Sequence, residues 1–286
     1  MAQYLEYIKK ASSLIEALPY IQAFRGESIL VKFGGSVLEE EMIFQSALRD
    51  IVFLECVGIK PVIVHGGGKA ISSKLNEMNI QTRFINGLRH TCEESIRIVD
   101  EVLHETVNPR LVDSIHRFGG KSECISGKDI MRAKKLHAEE DLGFVGEVTS
   151  VNIKPIKDLM AQNIVPVITP LAQDSKGEAY NINADIAACQ IAQALKVRKL
   201  VFMSDVPGIL EDQDNEESLI SSMKISDVQD YIDKGVITGG MVPKIRSAVE
   251  ALEAGTNKVH MIDARIQHSI LLEIFTDSGV GSQIIH

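Results

Sequence analysis

The stretch "ILVKFGGS", residues 29–36, sets a lysine and two glycines against an apolar run. Ile29, Leu30 and Val31 form the uninterrupted pattern of a strand buried on both faces of a parallel sheet. Lys32 is costly at the end of such a strand unless an anion meets its ammonium group. Gly34 and Gly35 then let the backbone approach a ligand closely.

Outward from this stretch the same alternation returns. Apolar runs at 61–64 (PVIV), 164–168 (IVPVI), 199–203 (KLVFM) and 258–262 (KVHMI) are separated by amphipathic segments at 41–57, 69–79, 93–118, 184–195 and 241–254. Strand then helix, repeated, predicts an α/β protein with an open, mainly parallel central sheet sandwiched between helices, three layers in the order α/β/α. Residues 120–152, with "DLGFVGEVTSVNI", read as hairpin-like strands making an excursion over the sheet edge. The acidic "EDQDNEES" at 211–218 reads as a solvated loop. Before the first strand, Leu5, Ile8, Ala11, Ile15 and Leu18 make one apolar stripe on a helix that Pro19 ends or kinks. That helix either packs on its own domain or projects towards a second subunit.

Ligands of open parallel sheets lie beyond the carboxyl ends of the strands, and the unusual residues fall there. "HGGGKAI", residues 65–71, follows the second run and opens a helix, so Gly66, Gly67 and Gly68 are candidate backbone donors to an anion. Neither glycine loop fits a P-loop or a dinucleotide fingerprint: Lys32 precedes its glycines, and Lys69, though it follows Gly68, has neither the earlier glycine nor the serine or threonine a P-loop needs. In "TGGMVPKIRSAVEAL" Lys244 occupies the first turn of a helix, the end that disfavours cations. "YNINADIAACQIAQAL" places Asn181, Asn183 and Asp185 before and within the start of another helix, where Asn183 can act as N-cap and Asp185 can hold two lysines while leaving them net positive. Arg89 in "NGLRHT" offers a planar fork for a carboxylate. Two lysines, a glycine cradle and an organising aspartate suit phosphoryl transfer, in which the protein supplies positioning and electrostatics. His65 reads as structural, and serines without a G-x-S-x-G elbow speak against a hydrolase.

The 286 residues carry a net charge of −9, which argues against non-specific binding to nucleic acid or acidic membranes and requires local positive groups for any anionic ligand. Four dispersed cysteines form neither a zinc pattern nor a disulfide framework. No stretch reads as a membrane span or a leader, and a cytoplasmic location is expected.

Together "VKFGGS", "VIVHGGGKAI", "NGLRHT", "ETVNPRLV", "SGKD", "DLGFVGEV", "NINADIAA", "SDVPGIL" and "TGGMVPK" resemble the amino acid kinase family, in order from about residue 26 to the end. The resemblance implies a helical extension over 1–25 and a kinase domain over 26–286, with an acceptor lobe at about 26–180 and a nucleotide lobe at about 181–286. Within the family it points to the branch that phosphorylates the side-chain carboxylate of N-acetyl-L-glutamate with ATP, in arginine biosynthesis. It implies that Lys32 and Lys244 stabilise the transferring phosphoryl group and that Asp185 orients them. The backbone of Gly34, Gly35, Gly66 and Gly67 would hold the phosphates and the attacked carboxylate. Arg89 and Asn181 would bind the acceptor, and ATP would lie along Asp205, Val206, Gly208, Ile209 and Leu210 and along Val236, Ile237 and Thr238. Mg²⁺ would come bound to the ATP oxygens, with no protein metal ligands.

The N-terminal extension and the C-terminal "LLEIFTDSGVGS" resemble those of arginine-inhibited members. They imply an arginine site near Tyr20, Glu273 and Gly279, a hexamer built as a trimer of dimers, and a PII-type signalling protein as a further partner. Lys69, Ala264 and Cys189 depart from the family pattern. Carbamate, aspartate, glutamate and UMP kinases of the same fold remain alternatives, as does a non-catalytic arginine-sensing subunit.

Overall fold

Residues 2–276 and 279–286 are described in a computed structural model. Met1 and, within the C-terminal stretch singled out above, Asp277 and Ser278 lie outside them. The strands are β1 (Ser28–Phe33), β2 (Lys60–His65), β3 (Phe84–Ile85), β4 (Leu88–Arg89), β5 (Ser122–Ile125), β6 (Met131–Lys135) and β7 (Gly146–Val151). They continue as β8 (Val165–Ile168), β9 (Leu171–Gln173), β10 (Ala179–Asn181), β11 (Lys199–Ser204), β12 (Ser222–Lys224), β13 (Val259–Asp263) and β14 (Ser282–Ile285). Eight of them form the main sheet, in the order β12-β14-β13-β11-β1-β2-β8-β5, and only the β13–β14 pair is antiparallel. The apolar run that opened the sequence reading is therefore central, with β2 on one side and β11 on the other.

Alternation along β1 divides the core. Ile29, Val31 and Phe33 face one layer, with α3 (Glu41–Cys56), α6 (Asn108–Arg117) and α12 (Ser269–Ile274). Leu30 faces the other, with α9 (Ala184–Leu195) and α11 (Met241–Glu253). Lys32 follows Leu30 by two residues, and period-two alternation aims it at the α9 and α11 layer. The chain builds the β2 side of the sheet before crossing to β11, so the strand order reverses beside β1, at the switch point where open α/β sheets bind ligands.

The remaining helices are α1 (Ala2–Phe24), α2 (Gly35–Glu39), α4 (Gly68–Glu77), α5 (Glu93–Glu101), α7 (Gly127–Ile130), α8 (Lys154–Ala161) and α10 (Val228–Asp233). Three expectations are corrected. Pro19 does not end α1, which continues to Phe24. Residues 93–118 are helical but pass through a π-helical stretch at Val102–Val107, next to Pro109, which lacks the N–H to close a regular turn. The segment 120–152 is not wholly an excursion. Its β5 is the edge strand of the main sheet, while β6 and β7 pair antiparallel in a second sheet of order β10-β9-β6-β7. The α1 stripe is exposed, with Leu5, Ile8, Ile15 and Leu18 uncovered together with Tyr4, Tyr7 and Leu14. No helix among the described residues is long and apolar enough to cross a membrane.

Candidate functional site

Three elements bring the charged residues together. Lys32 leaves the carboxyl end of β1, in register with Val64 of β2 and Phe202 of β11. Asp185 stands in the first turn of α9, whose N-cap is Asn183: the Asn183 side-chain oxygen accepts from the N–H of Asp185 at 2.8 Å and of Ile186 at 3.3 Å. The capping reading of Asn183 thus holds, and the cap fixes the carboxylate. Lys244 extends from α11 across the Phe202 ring, its Nζ 5.9 Å from the ring centroid. Lys32 Nζ lies 2.8 Å from Asp185 Oδ1, and Lys244 Nζ lies 3.8 Å from Oδ2.

Burial alone would raise the Asp185 carboxyl, yet the two ammonium groups outweigh it and hold the group below its ordinary value. Burial pulls the Lys244 ammonium below its ordinary value, with Asp185 opposing that shift and Lys32 adding to it. Two cations share one anion, so the cluster keeps a surplus positive charge in a sheltered place.

The glycine loops close around this point. A Cβ on Gly34 would stand 2.8 Å from the Met203 carbonyl oxygen of β11, so only glycine fits there without displacement. Gly35 shares a cavity of about 100 Å³ with Gly67 and Gly68, so the loops after β1 and β2 adjoin. The Gly66 N–H is bonded to the Phe33 carbonyl at 3.0 Å, whereas those of Gly67 and Gly68 have no protein acceptor among the described residues. Of the three candidate donors, Gly67 and Gly68 are therefore available and Gly66 is not. Lys69 forms an ion pair with Glu39, which offsets its charge beside the cradle.

A cavity of about 170 Å³ opens next to them, walled by Gly66, Gly67, Gly68, Arg89, Asn181 and Asn183 and by apolar Ile71, Phe84, Leu103 and Val145. Arg89 is buried, donating to the Gly68 carbonyl and Ser72 Oγ at 2.8 Å each. Its guanidinium lies over the Phe84 ring, and among the described residues no carboxylate is within ion-pair distance of it. Asn181 donates to Thr91 Oγ1 at 3.1 Å, and Thr91 donates to the Arg89 carbonyl at 2.9 Å, which ties the two expected acceptor ligands into one wall. A second cavity, of about 500 Å³, is lined by Asp205, Val206, Gly208, Ile209, Leu210, Val236 and Thr238, all singled out from sequence. Ile237 does not line it and is buried in the core. Pro207, inside the SDVPGIL motif, also lines it, and so do Gln213, Glu216, Met241 and Arg265, which were missed. Arg265 was findable, because it follows the carboxyl end of β13. The cavities flank the charged cluster: Asn183 and Ala184 wall the first and precede Asp185, and Met241 of the second lies one turn before Lys244.

Glu273 and Gly279 border a separate cavity of about 70 Å³ with Lys199, Lys258 and His260. Glu273 lies 2.6 Å from His260 Nδ1, 3.7 Å from Lys199 Nζ, and accepts from the Val280 N–H at 3.0 Å. Tyr20 does not line this cavity; it meets Phe275 edge-on, with ring centroids 6.4 Å apart.

Curated acetylglutamate kinases resemble the chain over nearly its whole length. That of Heliobacterium modesticaldum is 42% identical over 98% of this chain and 99% of its own. That of Aquifex aeolicus is 45% identical over 98% of each. Among solved structures, N-acetylglutamate synthase from Neisseria gonorrhoeae, complexed with coenzyme A and N-acetyl-glutamate, has TM-score 0.85 at 23% identity, covering 96% of this chain and 63% of the synthase. Carbamate kinase from Giardia lamblia has TM-score 0.66 at 15% identity, covering 91% and 98% of the two chains. These two likenesses concern the fold. Residues 27–263 match the amino acid kinase family, and with relatives this similar over the full length, the chain belongs to that family.

Proposed function

We propose that this chain phosphorylates the side-chain carboxylate of N-acetyl-L-glutamate with ATP, as the names of its relatives imply for them. The observation that carries the reading is the Lys32–Asp185–Lys244 cluster between two cavities, one of which holds a buried guanidinium with no carboxylate partner among the described residues. Arg89 and Asn181 would bind and orient the acceptor. Its reacting carboxylate is ionised at neutral pH and needs no general base. ATP would occupy the larger cavity, and its γ-phosphoryl group would pass between Lys32 and Lys244 in direct in-line transfer, with the Gly67 and Gly68 N–H groups facing the developing negative charge. Mg²⁺ would neutralise charge on the ATP oxygens; Asp185 is already engaged by both lysines. An ADP-release assay run with and without N-acetyl-L-glutamate tests the reading. Turnover with carbamate, aspartate, glutamate or UMP in its place would reject it, as would intact arginine binding without turnover.

A second feature supports regulation. The cavity around Glu273 and Gly279 combines carboxylate and ammonium groups, as a free amino acid such as arginine requires, and Tyr20 contacts Phe275, which joins α1 to the end of α12. The uncovered apolar stripe of α1 would pair with that of another subunit in the hexamer, in the cytoplasm. Sedimentation and arginine inhibition of a form lacking residues 1–25 test both points; retention of both properties would dismiss them.

A further inference from the structure

His65 closes β2 immediately before the glycine loop, and neither His65 nor Asn108 exposes any surface. The hydrogen bonds around them have a forced direction. The Val167 carbonyl of β8 can only accept, so the atom 3.0 Å from it is the Asn108 amide nitrogen. That same nitrogen lies 3.1 Å from His65 Nε2, which must therefore accept. At the other end of the ring, Nδ1 lies 2.8 Å from the Gly66 carbonyl oxygen, which again can only accept, so Nδ1 carries the proton. Two carbonyls thus fix a neutral ring with one tautomer. Burial agrees, since it pulls the ring down to about 4 and keeps imidazolium out of the neutral pH range.

The consequence lies in the next peptide. The Gly66 carbonyl and the Gly67 N–H belong to one planar trans unit and point in opposite directions. Holding the oxygen against His65, in the interior, turns the Gly67 N–H the other way, towards the cavity it lines. A flipped peptide would present the oxygen to an anion instead, and glycines on both sides make such a flip accessible. Leu103, near the start of the π-helical stretch, keeps a side chain out of position 67: a Cβ there would come within 2.7 Å of its Cδ2, so the peptide that needs holding is one that only glycine can supply. Asn108 Oδ1 is buried with no hydrogen-bond partner among the described residues, a cost an apolar core residue would avoid.

We infer that His65, with its proton on Nδ1 and its ring held by Asn108, is a positioning residue that keeps the Gly66–Gly67 peptide turned so that the Gly67 N–H faces the reacting anion. The inference rests on the active-site reading above. Two substitutions separate positioning from packing. Asparagine places its amide nitrogen where Nδ1 stands, and glutamine places its own where Nε2 stands. His65→Asn leaves a void and should unfold at lower temperature than His65→Gln, which fills nearly the same volume. Activity should run in the opposite order, with kcat of His65→Asn within about threefold of wild type and that of His65→Gln lowered about a hundredfold, the scale of one lost preorganised donor. The KM for N-acetyl-L-glutamate should change little, because Arg89 is untouched. Nitrogen-edited spectra of the wild-type holoenzyme should show His65 protonated at Nδ1 and bare at Nε2 from pH 5 to 8. Equal kcat in the two variants, activity that follows their stability, or an Nε2-protonated ring would overturn the positioning role alone. Wild-type protein with no turnover on N-acetyl-L-glutamate would overturn the functional reading and the role within it.

Discussion

Replacing Asp185 by asparagine keeps size and shape but removes the anion that Lys32 and Lys244 share. At an effective dielectric of about 20, a unit charge contributes roughly 6 kcal/mol at the 2.8 Å separation of Lys32 and roughly 4 kcal/mol at the 3.8 Å separation of Lys244. Water reaching the partly open lysines and the asparagine's own hydrogen bonding recover much of this, and the expected loss of unfolding free energy is about 3 kcal/mol. The kinetic signature should be more specific. Catalysis needs both ammonium groups charged and aimed, and loss of their common anchor should lower kcat about a hundredfold. KM for ATP should stay level or fall, since the site gains net positive charge; a kcat effect without a KM effect marks an interaction made in the transition state. Lys244 is already held below its ordinary value by burial, with Asp185 opposing that shift. Without the carboxylate its pKa drops further, so the alkaline limb of the kcat profile should move to lower pH. Steady-state kinetics by ADP release across pH and a urea melt supply the measurements. A kcat within about threefold of wild type with an unmoved alkaline limb would refute the claim that this carboxylate organises the two lysines.

Lys32→Ala and Lys244→Ala should each lower kcat by about a hundredfold or more with folding retained, as read by ADP release and circular dichroism; a small effect at both would contradict the scheme. Arg89→Lys keeps the charge but loses the fork that reaches Gly68 and Ser72, so KM for N-acetyl-L-glutamate should rise far more than kcat falls. Away from the site, burial pushes the Asp50 carboxyl up to about 6, against the opposing His268 ring 2.6 Å away. The folded state then binds this proton more tightly than the unfolded chain, so the contribution is full below the unfolded value of 3.8 and is lost as pH rises through about 6. Asp50→Asn should therefore gain about 2.5 kcal/mol relative to wild type between pH 4 and pH 8 in urea unfolding, and a pH-independent difference would reject the buried-carboxyl account.

The sheet was legible where both neighbours of a strand were also buried. Each of the five apolar runs falls on a main-sheet strand, because double-sided burial demands uninterrupted apolar residues. The missed main-sheet strands are at or near the edges. β5 is buried only at its ends, with Glu123 and Cys124 both exposed between them, and β12 is a three-residue edge strand whose neighbour β14 runs antiparallel to β13. Their pairing is set by the register of distant partners, which a local pattern does not encode. Lys32 and Lys244 were legible because each breaks a local rule, a lysine in a buried strand and a lysine at a helix N-terminus; Asp185 obeys one, as an acidic residue in a helix's first turn, and stood out only beside Asn181 and the two lysines it could hold. Gln213 and Glu216 were not, since a solvated acidic loop has the same composition whether or not it folds over a cavity. The loss of Gly66 from the three candidate donors depends on one backbone hydrogen bond to Phe33, and no side-chain pattern could have revealed it.

The two lysines and Asp185 share one electrostatic logic. The N-terminus of α11 and its buried surroundings both favour loss of the Lys244 proton, and a strand terminus buried like that of β1 is a costly place for a second ammonium group. A full complement of carboxylates would remove both costs, and it would also remove any attraction for an incoming phosphate. A single carboxylate between the two lysines is the intermediate solution. It anchors both lysines while leaving a surplus charge that an anion can still satisfy. The chain as a whole carries −9 and would repel such an anion at long range. Affinity must therefore arise at short range, inside the cleft, where the same low dielectric that burdens the empty lysines strengthens their hold on a transferring phosphoryl group.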